Sequence, residues 1–211
     1  EKSKQRISEF SEQEFERQNY LLHLVLGAGR EYFAKKIVIL KDNPLKNAEN
    51  IGDFLLSKLI AFKDKLTFVA ATDILPTNHD IDFKFTLSSA NISLYDGVAG
   101  MSLFFAYLSE SLGDDRYRTA SLSLARTAFS SIDKSTSISG YNGLGGLIYL
   151  ASHLYAIFKE EWILEEGSRA VGLIEAKLAE DQSYDFLLGS SGLVVSLLSF
   201  IDISGSTEAE S

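Results

Sequence analysis

A G-x-x-G followed by an apolar run of helical length occurs three times in this chain, and its spacing constrains the fold more than any other feature. The copies read Ser93-Leu94-Tyr95-Asp96-Gly97-Val98-Ala99-Gly100-Met101, Ser139-Gly140-Tyr141-Asn142-Gly143-Leu144-Gly145-Gly146-Leu147 and Asp185-Phe186-Leu187-Leu188-Gly189-Ser190-Ser191-Gly192-Leu193. Their first glycines, Gly97, Gly143 and Gly189, lie 46 residues apart. A period of that length belongs to stacked supersecondary units, here one helix pair per repeat. Glycines at a helix start leave N–H groups free and carry no Cβ where neighbouring helices crowd, which is an architectural role. A lone G-x-x-G is no phosphate cradle, because it lacks the preceding strand and the remaining spacing of nucleotide-binding loops.

Each unit is expected to open with a helix that is apolar nearly all round, Met101–Leu112 in the first and Leu147–Phe158 in the second. A short acidic turn follows, and then an amphipathic helix, about Tyr117–Ile132 and Ile163–Leu178. A helix apolar on every side is buried on both flanks, whereas an amphipathic one has a face in water. Inner and outer helices of this kind make an all-α fold, an α/α toroid or barrel, and three repeats make an incomplete one. Ahead of the repeats, residues 1–34 carry a helical pattern with Phe15, Leu22 and Leu26 near one face, and Ser11 with Glu14 at capping-box spacing. Asp42-Asn43-Pro44 reads as a turn and as a boundary. A second amphipathic helix is expected from Asn47 to about Phe62, where Ile51, Leu55, Leu59 and Phe62 share a face. Between 67 and 87 a short β-hairpin is expected: Phe68–Ala71 as one strand, a loop from Asp73 to His79, and the alternation Ile81, Phe83, Phe85, Leu87 as the other.

Composition removes several classes of function. The formal net charge of −9 leaves no basic stripe for a nucleic-acid backbone. The chain has no cysteine, so it builds neither a disulfide framework nor a thiolate metal site from its own residues. No apolar run reaches membrane-spanning length and no signal pattern opens the chain, so it reads as a cytoplasmic protein with no membrane span. The start at Glu1 rather than Met, and the tail from Gly205 to Ser211, read as ends cut from something longer.

The three copies disagree at one chemically informative position. Four residues before the first glycine stand Ser93, Ser139 and then Asp185. Inner-helix N-termini of a toroid share one mouth, so this position lies in loops around it. Two readings of Asp185 stand side by side, a helix or turn cap and a functional acid at the mouth. Asp96 is replaced by Asn142 and Leu188 in the later copies, a pattern of turn chemistry. His23, His79 and His153 are scattered without metal-ligand spacing. His153 lies ten residues after Gly143 in an apolar helix, where a core histidine with a satisfied ring is the ordinary reading. Tyr95 and Tyr141 match across repeats as packing residues at the mouth.

Taken together, Leu94-Tyr95-Asp96-Gly97-Val98-Ala99-Gly100-Met101-Ser102-Leu103-Phe104, Gly143-Leu144-Gly145-Gly146 and Asp185-Phe186-Leu187-Leu188-Gly189-Ser190-Ser191-Gly192-Leu193 resemble the first half of the lanthionine synthetase cyclase family. Phe10-Ser11-Glu12-Gln13-Glu14-Phe15-Glu16-Arg17-Gln18 is similar to the segment between the dehydratase and cyclase domains of the bifunctional class II enzymes, and Ala48-Glu49-Asn50-Ile51-Gly52-Asp53-Phe54-Leu55 to the start of their cyclase domain. The resemblance implies a domain division, with residues 1–45 as the end of a dehydratase region or linker and 46–211 as the N-terminal half of a cyclase toroid. It implies an enzyme that adds peptide cysteine thiols to dehydroalanine or dehydrobutyrine, making thioether rings in a ribosomal precursor peptide. A family zinc ion binds the substrate cysteine there, and Asp185 falls on the family's acidic residue in D-x-x-x-G-x-x-G, with a role in proton handling.

The family's two zinc cysteines, its zinc histidine and its catalytic histidine belong to later repeats. The expectation is therefore a fragment that holds no metal, is inactive alone, and exposes apolar flanks that the remaining half of its own domain would cover. Its partners would be that half and the precursor peptide, leader and core. The rival readings are a non-catalytic α/α repeat module that grips peptides and an α/α-barrel carbohydrate enzyme. The second needs another mouth carboxylate, for which only Asp96 offers itself.

Overall fold

A computed structural model describes residue 19 and residues 40–41, 43–74, 84–135, 137–179 and 181–205. The helical face read at 1–34 and the loop around His79 lie outside the described residues, with His23. The fold is mostly helical, and the chain divides into two packed units at Ile60, Thr67 and Ser89.

The first unit holds helix α1 (Pro44–Leu56) and a β-ribbon. Helix α1 starts three residues earlier than the periodicity suggests, because Asn43 caps it: its side chain accepts from the Lys46 N–H at 2.9 Å. Pro44 then sits in the first turn, where its missing N–H costs nothing. The helix stops at Leu56 rather than Phe62. Ile60–Phe62 (β1) and Lys65–Thr67 (β2) form a two-stranded ribbon instead. Lys63 makes the turn at φ 57°, a place where glycine or asparagine is the usual signal, so the sequence hides it. The expected hairpin is present with shifted ends. Val69–Ile74 (β3) pairs antiparallel with Lys84–Ser89 (β4) in the register Val69↔Ser89 to Ile74↔Lys84. Asp73 thus belongs to a strand and not to the loop.

The second unit holds Ala61–Thr67 and the described residues from Ala90 onward, and it carries the repeats. Each G-x-x-G opens a helix of 15 residues: α2 (Val98–Leu112), α4 (Leu144–Phe158) and α7 (Ser190–Ser204). Between them run α3 (Asp115–Phe129), α5 (Glu161–Gly172) and the single turn α6 (Glu175–Leu178). The 46-residue period reaches the far ends as well. Gly113, Lys159 and Gly205 end the three inner helices at φ 67°, 55° and 63°, the left-handed cap that stops a helix sharply.

Two layers result. Helix α4, in the middle, packs on α2 and α7 along the inner row and on α5 behind it, and it buries nine of its fifteen residues. The amphipathic outer helix α3 buries Tyr117, Ala120, Ser121, Leu124, Ala125, Ala128 and Phe129, a stripe at helical spacing. In the first repeat the layers meet through a reciprocal pair: Ser102 Oγ donates to the Ser121 carbonyl and Ser121 Oγ to the Ser102 carbonyl, each at 2.8 Å and fully buried. The equivalent of Ser121 in the second repeat is Gly167, and there the Phe200 ring of α7 fills the space. Outer helices are tied laterally by the Arg118–Glu160 ion pair, by Arg126 stacked 4.3 Å from the Trp162 ring centroid, and by Arg169 donating to the Phe129 carbonyl. The arc of paired helices is the one expected of an α/α toroid.

One helix supplies a test of this packing. A Cβ on Gly167 would lie 2.3 Å from the Phe200 ring, whereas a Cβ on Gly172 would meet nothing within 4 Å. In urea unfolding, Gly167→Ala is expected to cost about 1–3 kcal/mol through overpacking. Gly172→Ala is expected to gain about 0.5–1 kcal/mol from helix propensity. Equal effects of the two substitutions would contradict the placement of Phe200.

Candidate functional site

The loops that precede the inner helices are built by backbone as much as by side chains. The first helical N–H of each copy donates to the carbonyl seven residues back: Val98 to Asn91 at 2.9 Å, Leu144 to Ser137 at 2.9 Å and Ser190 to Ser183 at 3.1 Å. Gly100 and Gly146 donate in turn to the carbonyls of Ser93 and Ser139, each at 3.3 Å. The free N–H groups expected at these helix starts are therefore partly occupied, the first in every copy and further ones in the first two, because the loop folds back across them. This is why the first glycine is required. A Cβ on Gly97, Gly143 or Gly189 would lie 2.4, 2.3 or 1.9 Å from those same loop carbonyls.

Within each loop the residue four before the glycine performs one task. Ser93 Oγ accepts from the Asp96 N–H at 3.1 Å, and Ser139 Oγ accepts from the Asn142 N–H at 3.3 Å. Asp185 Oδ1 accepts from the Leu188 N–H at 2.7 Å and also from the Leu187 N–H at 2.8 Å. Asp185 is thus a turn cap in the third repeat as serine is in the first two, with a second acceptor oxygen left over. That oxygen, Oδ2, accepts from Ser183 Oγ at 2.5 Å. Ser93 and Ser139 are buried, whereas Asp185 faces solvent.

The electrostatics follow from these bonds. The Ser183 hydroxyl, with the Leu188 and Leu187 N–H groups behind it, holds the Asp185 carboxyl below its ordinary value. Asp96 is lowered in the same way, first by the Ser93 hydroxyl, which donates to Oδ1 at 2.6 Å, and then by the Asn91 amide at 2.8 Å. Both groups are anions at neutral pH. An ionised carboxylate accepts a proton or orients a cation; it is not a proton donor at rest.

Two groupings around the loops were not read from the sequence as units. Tyr95, Tyr141 and Phe186 form successive edge-on ring contacts, with centroids 6.5 and 6.3 Å apart. Phe186 was missed because it stands one place earlier in its loop than the two tyrosines in theirs. Farther along the inner helices, the Tyr107 hydroxyl is hydrogen-bonded to His153 Nδ1, and the Tyr149 ring centroid lies 4.1 Å from that of the imidazole. Tyr107 and His153 occupy equivalent positions in successive repeats, so the period itself carried that signal. Burial pushes the His153 pKa down, so the ring is neutral near pH 7 and its hydrogen bond to Tyr107 accounts for it.

The chain has no cysteine, and among the described residues no three histidine, aspartate or glutamate side chains converge. Among the described residues, too, no helix is long and apolar enough to cross a membrane.

With this geometry in place, comparison with known proteins becomes specific. A sequence model of the family described as "Lanthionine synthetase C-like protein" matches residues 88–210, from the end of β4 through all three repeats. That is more than half of the chain, and the chain belongs to the lanthionine synthetase C-like family. No curated protein matches it.

The cap geometry makes two predictions. In Asp185→Ser the loop is expected to keep its fold, since serine holds the same turn at 93 and 139. Because the folded Asp185 carboxyl titrates below its unfolded value of about 3.9, its stabilising effect is complete above that pH and is lost as pH falls through the folded value. In an NMR titration the amide protons of Leu187 and Leu188 should move together with a midpoint below 3.9. Independent midpoints, or one above 3.9, would contradict the hydrogen bonds assigned here.

Proposed function

We propose that this chain is part of a lanthionine synthetase, of the class II type, whose cyclase domain closes thioether rings in a ribosomal precursor peptide. The family membership of residues 88–210 supports the reaction class. The single observation that carries the site is the exposed, ionised carboxylate of Asp185, at the one repeat where a hydroxyl would have sufficed to hold the turn.

The chemistry asked of such a residue is the movement of one proton. A peptide cysteine thiol has a pKa of about 8.5 and reacts as thiolate. Asp185 takes the thiol proton, the sulfur bonds to the β-carbon of dehydroalanine or dehydrobutyrine, and the π electrons pass to the neighbouring carbonyl as an enolate. Return of the proton to the α-carbon completes a net addition that releases nothing. A carboxylate held low by Ser183 and two backbone N–H groups is ionised and free to take that proton, though as a weak base, and once protonated it is a strong donor for the second half of the cycle. The family's zinc supplies thiolate activation when bound. The ligands for it lie outside this chain's residue set, and the roles given to Asp185 and its loop do not depend on it. The chain by itself is therefore proposed to be inactive, and its partners to be the precursor peptide and the later repeats of its own domain. Val194, Val195 and Leu198 of α7 are exposed where a further repeat would pack.

The test is ring closure by the protein that carries this chain, on a dehydrated peptide, read by mass spectrometry after thiol labelling. Asp185→Asn is expected to slow closure about 100-fold or more while dehydrated peptide persists. Asp185→Ser should be equally slow, with the loop intact. Wild-type closure rates in both variants would remove Asp185 from the reaction. Peptide binding without any ring closure in the wild type would favour an inert peptide-gripping module instead.

A further inference from the structure

The tyrosines at the repeat loops are more than packing residues. The three loops are locked in register by backbone. Leu94 N–H donates to the Tyr141 carbonyl at 2.8 Å, joining the first loop to the second. Gly140 lies so close to Gly192 that a Cβ would meet its Cα at 2.8 Å, joining the second loop to the third repeat. One consequence is the row of rings Tyr95, Tyr141 and Phe186, whose centroids step by 6.5 and 6.3 Å. The outer two rings are turned to solvent: Tyr95 is 74% exposed and Phe186 50%. Two exposed aromatic rings on either side of a half-buried third make an apolar surface of the kind that marks a binding site.

The step length matches one kind of ligand. Side chains on one face of an extended peptide recur every second residue, about 6.6 Å apart, which is close to the ring-to-ring step. On an α-helix, residues on one face recur at about 5–6 Å and wind around the axis. The charge around the row selects further. Asp96 and Asp185 flank it, and loops 91–97, 137–143 and 181–189 contain no lysine, arginine or histidine. An anionic rim beside aromatic faces suits cationic side chains, through both Coulomb attraction and cation–π contact.

We propose that Tyr95, Tyr141 and Phe186 form a docking row for an extended peptide segment that sets basic side chains at i, i+2 and i+4 against the rings, with apolar or aromatic residues between them. The row rests on the reading of this domain as one that acts on peptides, and it adds which peptide chemistry is held beside Asp185 and in what conformation. The rings read alternate side chains while the carboxylates exclude acidic segments, so the row sets selection among segments of one long substrate.

Two six-residue fluorescent peptides test it on the 211-residue chain: Phe and Lys alternating, and Phe and Glu alternating. Anisotropy titration should show saturable binding of the Phe/Lys peptide and at least tenfold weaker binding of the Phe/Glu peptide. Replacing both outer rings, Tyr95→Ala with Phe186→Ala, should weaken the Phe/Lys peptide about tenfold or more. Leu178→Ala, an exposed apolar site outside the loops, should change nothing. Absence of Phe/Lys binding, equal binding of both peptides, or affinity unchanged in the double variant would overturn the docking row. The cyclase reading fails separately. If the ring-closing protein works and the double variant leaves its KM unchanged, the row falls and the activity stands. If peptides bind through the rings and no ring is closed, the activity falls and the row stands.

Discussion

Each inner helix of the repeats begins where a backbone carbonyl occupies the place a side chain would take. The loop ahead of the helix turns back so tightly that its carbonyl, six residues before the first glycine, accepts the first helical N–H and lies against the glycine Cα. Any Cβ there would force the loop away, and the hydrogen bond with it. The 46-residue period, the identical helix lengths and the left-handed stops at Gly113, Lys159 and Gly205 all depend on that starting point being the same in every copy. With the starts fixed, the helices stack in register, and the loops come within hydrogen-bonding reach of one another.

This closure moves chemical function off the helix termini. An open helix N-terminus attracts anions through its free N–H groups and its dipole. Here the first of those groups in every copy, and further ones in the first two, are committed to loop carbonyls, so what the loops chiefly offer to a ligand is side chains: a hydroxyl buried in the turn at Ser93 and Ser139, and an exposed carboxylate at Asp185. The substitution is economical in structural terms. Serine and aspartate both place an oxygen where the turn needs an acceptor, and aspartate brings a second oxygen and a charge without disturbing the fold. A repeat protein can thus acquire a reactive group in one copy while the other copies keep the frame.

Much of the frame is legible in the residues because periodicity and glycine spacing are local properties. Met101–Leu112 and Leu147–Phe158 read as buried helices, and the structure only lengthens them at their starts. What the residues do not disclose is cooperative. The loop's return over the helix start, which consumes N–H groups expected to be free, involves a carbonyl seven residues away and leaves no compositional mark. The ribbon at Ile60–Thr67 is hidden for a different reason, since Lys63 takes a left-handed turn that glycine or asparagine would have announced. At the site, Asp185 stands out by disagreeing with its repeat partners, whereas its hydrogen bond to Ser183 and the ring contact of Phe186 with Tyr141 appear only once the loops are placed. The Tyr107–His153 pair lies between these cases, because the period aligns the two residues and only the fold joins them.

Amide hydrogen exchange at the helix starts tests the dependence of the whole arrangement on loop closure. The account predicts that the N–H groups of Val98, Leu144 and Ser190 exchange slowly, with protection comparable to amides in the middle of their helices, because each is held by a loop carbonyl. Exchange at the rate of an unprotected first turn, in a protein whose inner helices are otherwise protected, would show that the helix starts are open and would contradict the account at its base.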